Sequence, residues 1–359
     1  MIGSEQMDGD VRTMTKTGRC IGVVVIGRDE GERLPRCLAS IGDHLAVVYA
    51  DSGSKDGSCA VARAHGALVV ELDASLPFTA ARGRNEGLAR LLQEAPGLEY
   101  VQFVDGDCEL VAGWLEAAVR TLDARPEVAA VCGRLKEKHP ERSIYNQLCQ
   151  IEWNGPTGEV KHCGGIAMYR VAALKEAGGF NPTLMAGEEP ELCMRLRAKG
   201  GKLLRICESM AMHDSDMMNF GQWWRRSVRS GYGGLEVVRR FDRYRRSAIA
   251  QQIRSSRFWT LGLPLLVLMA GLTGWLVISP LAGVIVALLV AMVVPGQVLR
   301  LTYRAMRRGE GAKAALAYGL TTMINKWGVL YGQIRYLGEV CAGRKELRGA
   351  STEATEWVP

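Results

Sequence analysis

The sequence predicts an α/β domain on a mostly parallel central sheet, followed by a transmembrane helical hairpin and an amphipathic helix. Three observations predict it. From Cys20 to Val104, short β-rich apolar runs alternate with helical stretches, the pattern of βαβ units. Four aspartates, Asp29, Asp51, Asp73 and Asp105, stand within a few residues of where those runs end. Two uncharged apolar stretches, 258–278 and 281–298, are joined only by Ser279-Pro280, and each is about long enough to cross a bilayer.

Residues 1–19 are polar and without periodicity, so disorder is expected there. Cys20 to Ile26 reads as a strand buried on both faces. Asp29-Glu30 follows, then a helix from about Glu32 to Ile41. Leu45 to Ala50 is a second strand, and Asp51-Ser-Gly-Ser-Lys-Asp-Gly-Ser58 leads into a helix through His65. Ala67 to Leu72 is a third strand, and a helix carries Asn85 to Leu92.

Tyr100 to Val104 is the next strand, and it breaks at Asp105-Gly-Asp107. Ligands of open parallel sheets bind beyond the carboxyl ends of the strands. Gly106 removes a side chain there, so a ligand or metal can approach the backbone. The same triplet is good turn chemistry. Carboxylates converging on one sheet edge repel unless a cation, basic side chains or sugar hydroxyls meet them, although an aspartate also serves simply to start a turn or helix.

Trp114 to Ala124 is an amphipathic helix and Val128 to Val131 a strand. Residues 132–160 are mixed in composition, with Trp153-Asn-Gly-Pro-Thr-Gly158 expected as a loop over the site. Cys163-Gly-Gly-Ile-Ala-Met-Tyr-Arg170 suggests a backbone packed close to a ligand, or a tight turn into a strand. In Gly187-Glu-Glu-Pro-Glu-Leu192 the proline suits the first residue of a helix, with Leu192 and Leu196 facing inward. Acids near a helix amino end are favoured by its dipole, which also keeps a carboxylate ionised and available as a base.

The net charge of +7 is local. Ten arginines against two acids between Arg225 and Arg257 give that segment +8, and the rest of the chain sums to −1. A basic segment just before the most hydrophobic part favours an anionic membrane surface. No zinc spacing, RNA-binding signature or basic–aromatic interleaving occurs elsewhere, so no nucleic-acid partner is expected. Ten cysteines are scattered singly and no secretory signal opens the chain, which predicts a reducing, cytosolic setting for the thiols. Neither GxGxxG after the first strand nor GxxxxGK[ST] occurs, which argues against dinucleotide and P-loop readings. Phosphate charge would then fall to a metal and to arginines such as Arg82 and Arg84.

Five elements in register resemble the family-2 glycosyltransferases over about residues 20–215. They are Asp29-Glu30, Asp51-Ser-Gly-Ser-Lys-Asp-Gly-Ser58, Ala81-Arg-Gly-Arg-Asn-Glu-Gly87, Asp105-Gly-Asp107 and Glu188-Glu-Pro-Glu-Leu192. The resemblance implies a GT-A, Rossmann-like catalytic domain. It implies that Glu30 and Asp51 contact the base and ribose of a nucleotide-sugar donor, with Asp105 near the ribose. Arg84 would meet the diphosphate, and Asn85 in the same element would also bind the nucleotide sugar. Asp107 would coordinate a divalent cation, Mg²⁺ or Mn²⁺, and His213 in Met212-His-Asp214 matches a second metal ligand of some relatives. Glu189 matches the catalytic base that deprotonates the acceptor hydroxyl, with Glu191 as its rival; direct displacement would invert the anomeric centre.

This chain departs from the pattern at three places. Glu189 replaces the usual Asp, Ser52 replaces an acid, and Arg226 stands where the Gln-x-x-Arg-Trp element of processive members has Trp. A non-processive enzyme adding one sugar is therefore expected.

The organisation expected is 1–19 disordered, 20–224 catalytic, 225–257 a basic juxtamembrane helical segment, 258–299 the hairpin and 300–359 an interfacial helix and tail. Arg254 and Arg257 precede the hairpin, and Arg300, Arg304, Arg307 and Arg308 follow it. Both flanks are thus expected on the cytoplasmic side of the plasma (inner) membrane, in a multi-pass protein with a cytoplasmic catalytic domain. Lys326 sits mid-way in Ala314 to Leu337, so an interfacial or re-entrant helix is expected there rather than a third crossing. The expected acceptor is a lipid-linked or membrane-proximal saccharide. A nucleotidyltransferase, or a silent membrane scaffold keeping the fold, is the alternative.

Overall fold

The computed structural model describes residues 20–42, 45–153, 155–241 and 244–344. The expectations for 1–19 and for the basic tail beyond 344 lie outside these residues. The chain forms two compact units, 20–138 with 153–215, and 139–152 with 216–344.

In the first unit, β1 (Ile21–Gly27), α1 (Arg33–Ile41), β2 (Ala46–Asp51), α2 (Ser58–Ala64), β3 (Leu68–Glu71), α3 (Ala80–Glu94) and β4 (Tyr100–Asp105) follow the predicted alternation. β1 pairs in parallel with both β2 and β4, and β2 with β3. The reason is visible in β1 and β4. Val23, Val24, Val25, Val101, Phe103 and Val104 are all fully buried, so these strands carry apolar residues on both faces. Helix α3 lies directly on β1, because a Cβ at Gly87 would stand 2.5 Å from Val24 Cγ1.

Beyond β4 the sheet stops being parallel. β5 (Cys108–Leu110), α4 (Trp114–Ala124), β6 (Val128–Glu137), α5 (Ile144–Trp153), β7 (Gly158–Glu159), β8 (Ala167–Arg170), α6 (Val171–Ala177), α7 (Glu188–Ala198) and β9 (Lys202–His213) follow. β8 is antiparallel to β4 and β6, whereas β6 and β9 run parallel. The order is β3-β2-β1-β4-β8-β6-β9-β5, with β7 on β9, a mixed sheet rather than a mostly parallel one. The connection from β6 to β8 returns without a crossover onto the same edge, a geometry that apolar patterning alone does not encode. α5 lies in the stretch of mixed composition, just before the expected loop. Its polar Asn146 and Gln147 hide the period, and Asn146 is fully buried with its amide bonded to His139 and Met217. α7 begins two residues before Pro190, so that proline is the third helical residue, not the first. Leu192 and Leu196 are buried as expected.

The second unit is helical: α8 (Phe220–Arg240), α9 (Ala248–Arg257), a π-helical turn (Phe258–Gly262), α10 (Leu263–Val277), α11 (Pro280–Ala291), α12 (Val293–Met306) and α13 (Ala312–Cys341). Ala248–Val277 and Pro280–Met306 are the two helical stretches, among the described residues, that are long and apolar enough to cross a membrane. Their apolar side chains, such as Leu268, Leu276, Leu281 and Leu288, are exposed. A soluble protein's core helices would bury them. α10 and α11 meet at Gly271, Gly274 and Gly283, where a Cβ on Gly283 would fall 2.7 Å from the Trp275 amide, the small-residue contact that lets apolar helices pack without a hydrophobic drive. The Ser279 side chain accepts the Ala282 amide at 3.2 Å and caps α11. α13 is one unbroken helix through Lys326, packed on α8 and α12.

Candidate active site

The site forms where β1, β2 and β4 end. Their register sets Asp51 beside Gly27 and Asp105 beside Ile26. The Gly106 amide donates to the Ile26 carbonyl at 2.8 Å, and a Cβ on Gly106 would stand 2.9 Å from Glu30 Cγ. Glycine there is what admits Glu30 beside the Asp105-Gly-Asp107 turn.

Two loops are laced together above this edge. Asp29, at φ +53°, accepts the Lys55 amide at 2.7 Å and donates its own amide to Ser54 Oγ at 2.9 Å. The Gly31 amide donates to Asp56 at 2.8 Å. Asp51 is 2% exposed and accepts from the Gly53 and Ser54 amides, the Ser54 hydroxyl and the Tyr49 hydroxyl. Its carboxylate organises its own loop and does not face open space. Asp73 accepts from the amide and hydroxyl of Ser75 and so starts a turn. Of the four strand-end aspartates, Asp105 alone bonds to a side chain of the acidic, arginine-bearing centre.

Asp107 leads into β5, which pairs antiparallel with β9 so that Cys108 stands opposite His213. That register brings His213 Nε2 to 3.0 Å from Asp107 Oδ2. Burial disfavours both charges, yet the hydrogen bond prevails. The imidazole is held above its usual range and the Asp107 carboxyl below. Trp153 stacks on the imidazole at 4.7 Å, so the expected loop residue is an aromatic wall. Burial, then the Asp107 charge, pushes the Glu30 carboxyl up to about 7, against Arg33 at 2.9 Å.

Arg84 is 3% exposed and joins the two acidic elements, donating to Asp105 at 3.0 Å and to Glu188 at 2.9 Å. Glu188, named in the sequence element but given no role, is the partner the reading missed; its place at the start of the acidic element was the available signal. Gly165 is needed beside this pair. A Cβ there would lie 2.8 Å from Arg84 Nη2 and 3.2 Å from Asp105 Oδ2. Arg82, grouped with Arg84 as a phosphate ligand, instead donates to the carbonyls of Asp73, Leu76 and Pro77. Asn85 closes both amide groups on the Phe180 backbone, at 2.7 and 2.9 Å. It holds the 180 segment to α3.

Glu189 is 5% exposed at the start of α7. Its Oε1 accepts from the Cys163 amide at 2.7 Å and the Cys193 thiol at 2.9 Å. Burial pushes its carboxyl up, with those hydrogen bonds opposing. Glu191 is equally buried but is held by Arg195, with contacts of 2.7 to 3.0 Å, and Arg195 also bonds the Ala177 carbonyl. That pairing engages both Glu191 oxygens with Arg195. In the second unit, Gln222 closes a capping box with Asn219 at the head of α8, and Arg226 pairs with Glu152 at 3.1 Å.

Two family models match the chain, Glycosyl transferase family 2 over residues 22–178 and Glycosyl transferase family group 2 over 148–322. A TPR repeat-containing protein of Synechococcus elongatus is 33% identical over 138 residues, 38% of this chain and 32% of its own length. The pre-mycofactocin glycosyltransferase of Mycobacterium tuberculosis is 28% identical over 212 residues, 55% of this chain and 43% of its own. The chain thus spans less than half the length of these two relatives. Among solved structures, a mannosyltransferase from Pyrobaculum calidifontis in complex with GDP-Man and Mn²⁺ is similar in fold, with a TM-score of 0.53 and 18% identity over 88% of this chain and 86% of that one. The two glycosyltransferase models together span 22–322 of this chain, and its fold is the GT-A fold of that mannosyltransferase.

Proposed function

We propose that this protein moves one sugar from a nucleotide-sugar donor to a hydroxyl of a membrane-proximal, lipid-linked saccharide, with inversion and with a divalent cation. The observation that carries the reading is the Arg84 bridge. It ties Asp105, beside the Asp107–His213 pair, to Glu188 at the head of the helix that carries Glu189.

The residues fit a cation. A carboxylate and an imidazole converge at 3.0 Å, with the Glu30 and Asp105 carboxyls close enough to act on Asp107, and the His213 Nδ1 is buried without a hydrogen-bond partner. Asp107 and His213 would hold it, and oxygen and imidazole donors suit Mg²⁺ or Mn²⁺. When bound, such an ion offsets the charge that develops on a departing diphosphate. Glu189 takes the proton of the acceptor hydroxyl, its Oε1 held in place by the Cys163 amide. Asp105, partly exposed beside Arg84, reaches the ribose. Glu30 lines the base and ribose side, while Asp51 acts through the loop it organises.

The two apolar stretches form a hairpin through the plasma membrane, with the arginines on both flanks on the cytoplasmic side. α13 lies at the interface. The catalytic unit is then cytoplasmic, and its acceptor one carried by the membrane.

A panel of nucleotide sugars tests the function. Cation-dependent release of nucleoside diphosphate is expected. Pyrophosphate release would mark a nucleotidyltransferase instead, and no binding or release would mark a silent scaffold.

A further inference from the structure

Behind the proposed base lies a cluster of thiols that the transfer reaction does not use. The Cys163 thiol, the Cys193 thiol and a Glu189 carboxylate oxygen all lie within 4.8 Å of one another. Each residue is at most 5% exposed. Cys193 already touches the carboxylate at 2.9 Å. Cys132, fully buried on β6, offers its sulfur as acceptor to the Cys163 thiol. That hydrogen bond, and then Arg205 beside it, hold the Cys132 thiol below its ordinary range. Two elements that are far apart in sequence, the Cys163 turn and α7, therefore deliver two sulfurs and one carboxylate to one point, and Cys132 of β6 brings a third sulfur beside Cys163.

We propose that Cys132, Cys163, Cys193 and Glu189 form a binding site for a thiophilic divalent cation of the Zn²⁺ or Cd²⁺ class, and that its occupation shuts off sugar transfer.

The spacing suits it. Tetrahedral zinc with sulfur ligands needs neighbouring sulfurs about 3.8 Å apart, from a metal–sulfur distance of about 2.3 Å, so small rotations of Cys163, Cys193 and Glu189, already within 4.8 Å of one another, suffice for three of the four donors. Three thiolates and a carboxylate are a soft donor set that discriminates against Mg²⁺ and Mn²⁺. The site is thereby separate in chemistry from Asp107 and His213. Binding exchanges thiol protons for the metal and engages the Glu189 carboxylate, which then cannot accept a proton from an acceptor hydroxyl. The inhibitory consequence rests on Glu189 being the base; the binding does not.

Cobalt titration of the reduced, detergent-solubilised full chain tests the proposal. Co²⁺ is expected to bring up a sulfur-to-cobalt charge-transfer band at about one equivalent, and Zn²⁺ to erase it. Asp107→Ala and the double variant Cys207→Ser, Cys341→Ser, which removes the two exposed thiols, should keep the band. Cys163→Ser and Cys193→Ser should lose it while still binding nucleotide with Mn²⁺, which shows that they fold. Cys132→Ser should turn over like the parent without Zn²⁺ and need at least tenfold more Zn²⁺ for half-inhibition. No band in the parent, or a band unchanged in Cys163→Ser and Cys193→Ser, would overturn the site. A cysteine-dependent band without inhibition would uphold the site and instead refute Glu189 as the base.

Discussion

His213 Nε2 lies 3.0 Å from Asp107 Oδ2 although 106 residues separate the two. The antiparallel pairing of β5 with β9 makes that contact, and Trp153 stacks on its outer face. If the pair holds the cation, Asp107→Ala and His213→Ala should each lower kcat/KM by about 10²–10³-fold and weaken Mn²⁺ binding, as followed by calorimetry, without moving Tm by more than a few degrees. Wild-type Mn²⁺ affinity in Asp107→Ala would remove it from the site.

The two carboxylates of α7 should separate cleanly. Glu189→Gln keeps the shape and should lose about 10²–10⁴-fold in kcat with nucleotide binding intact. Glu191→Gln strips the buried Arg195 of its carboxylate and should cost about 3–5 kcal/mol of stability, with kcat per folded molecule unchanged. A kcat loss confined to Glu191→Gln would reverse the assignment.

Asn85 distinguishes a clamp from a ligand. Asn85→Ala leaves the Phe180 amide and carbonyl without their side-chain partners and should cost about 1–3 kcal/mol in urea unfolding. Donor affinity, measured on the folded fraction, should stay at the wild-type value. A loss of affinity with stability intact would return Asn85 to the nucleotide site.

Stability should also report Glu189 through pH. Burial raises its carboxyl above the ordinary value of 4.5, so the native state favours the protonated form. The stabilisation is fully present below pH 4.5 and is lost as pH rises through the native value. With EDTA present to exclude metals, the wild type should lose Tm relative to Glu189→Gln as pH climbs from 4.5. Parallel Tm curves for the two proteins would contradict this.

What the sequence made legible follows physical lines. Doubly buried strands announce themselves by unbroken apolar runs, so β1, β2 and β4 and the acids at their ends were readable. His213 was found only as a motif position, because nothing local says that β9 will turn it toward β5 and Asp107. The fates of Asp51, Arg82, Asn85 and Glu191 were not readable either. Whether a polar side chain is turned inward onto backbone or outward to a ligand depends on loop closure, which residue type does not reveal. The glycines carried more than their composition suggested, since Gly106 and Gly165 mark the two places where Glu30 and Arg84 crowd the backbone.

The most direct measurement is nucleoside-diphosphate release from donor and acceptor by the wild type, Asp107→Ala and Glu189→Gln, before and after EDTA and with Mn²⁺ restored. Release should stop with EDTA and return with Mn²⁺ in the wild type, and stay low throughout in both variants. Release that survives EDTA, or that persists at the wild-type rate in Glu189→Gln, would contradict a cation-dependent transfer with Glu189 as its base.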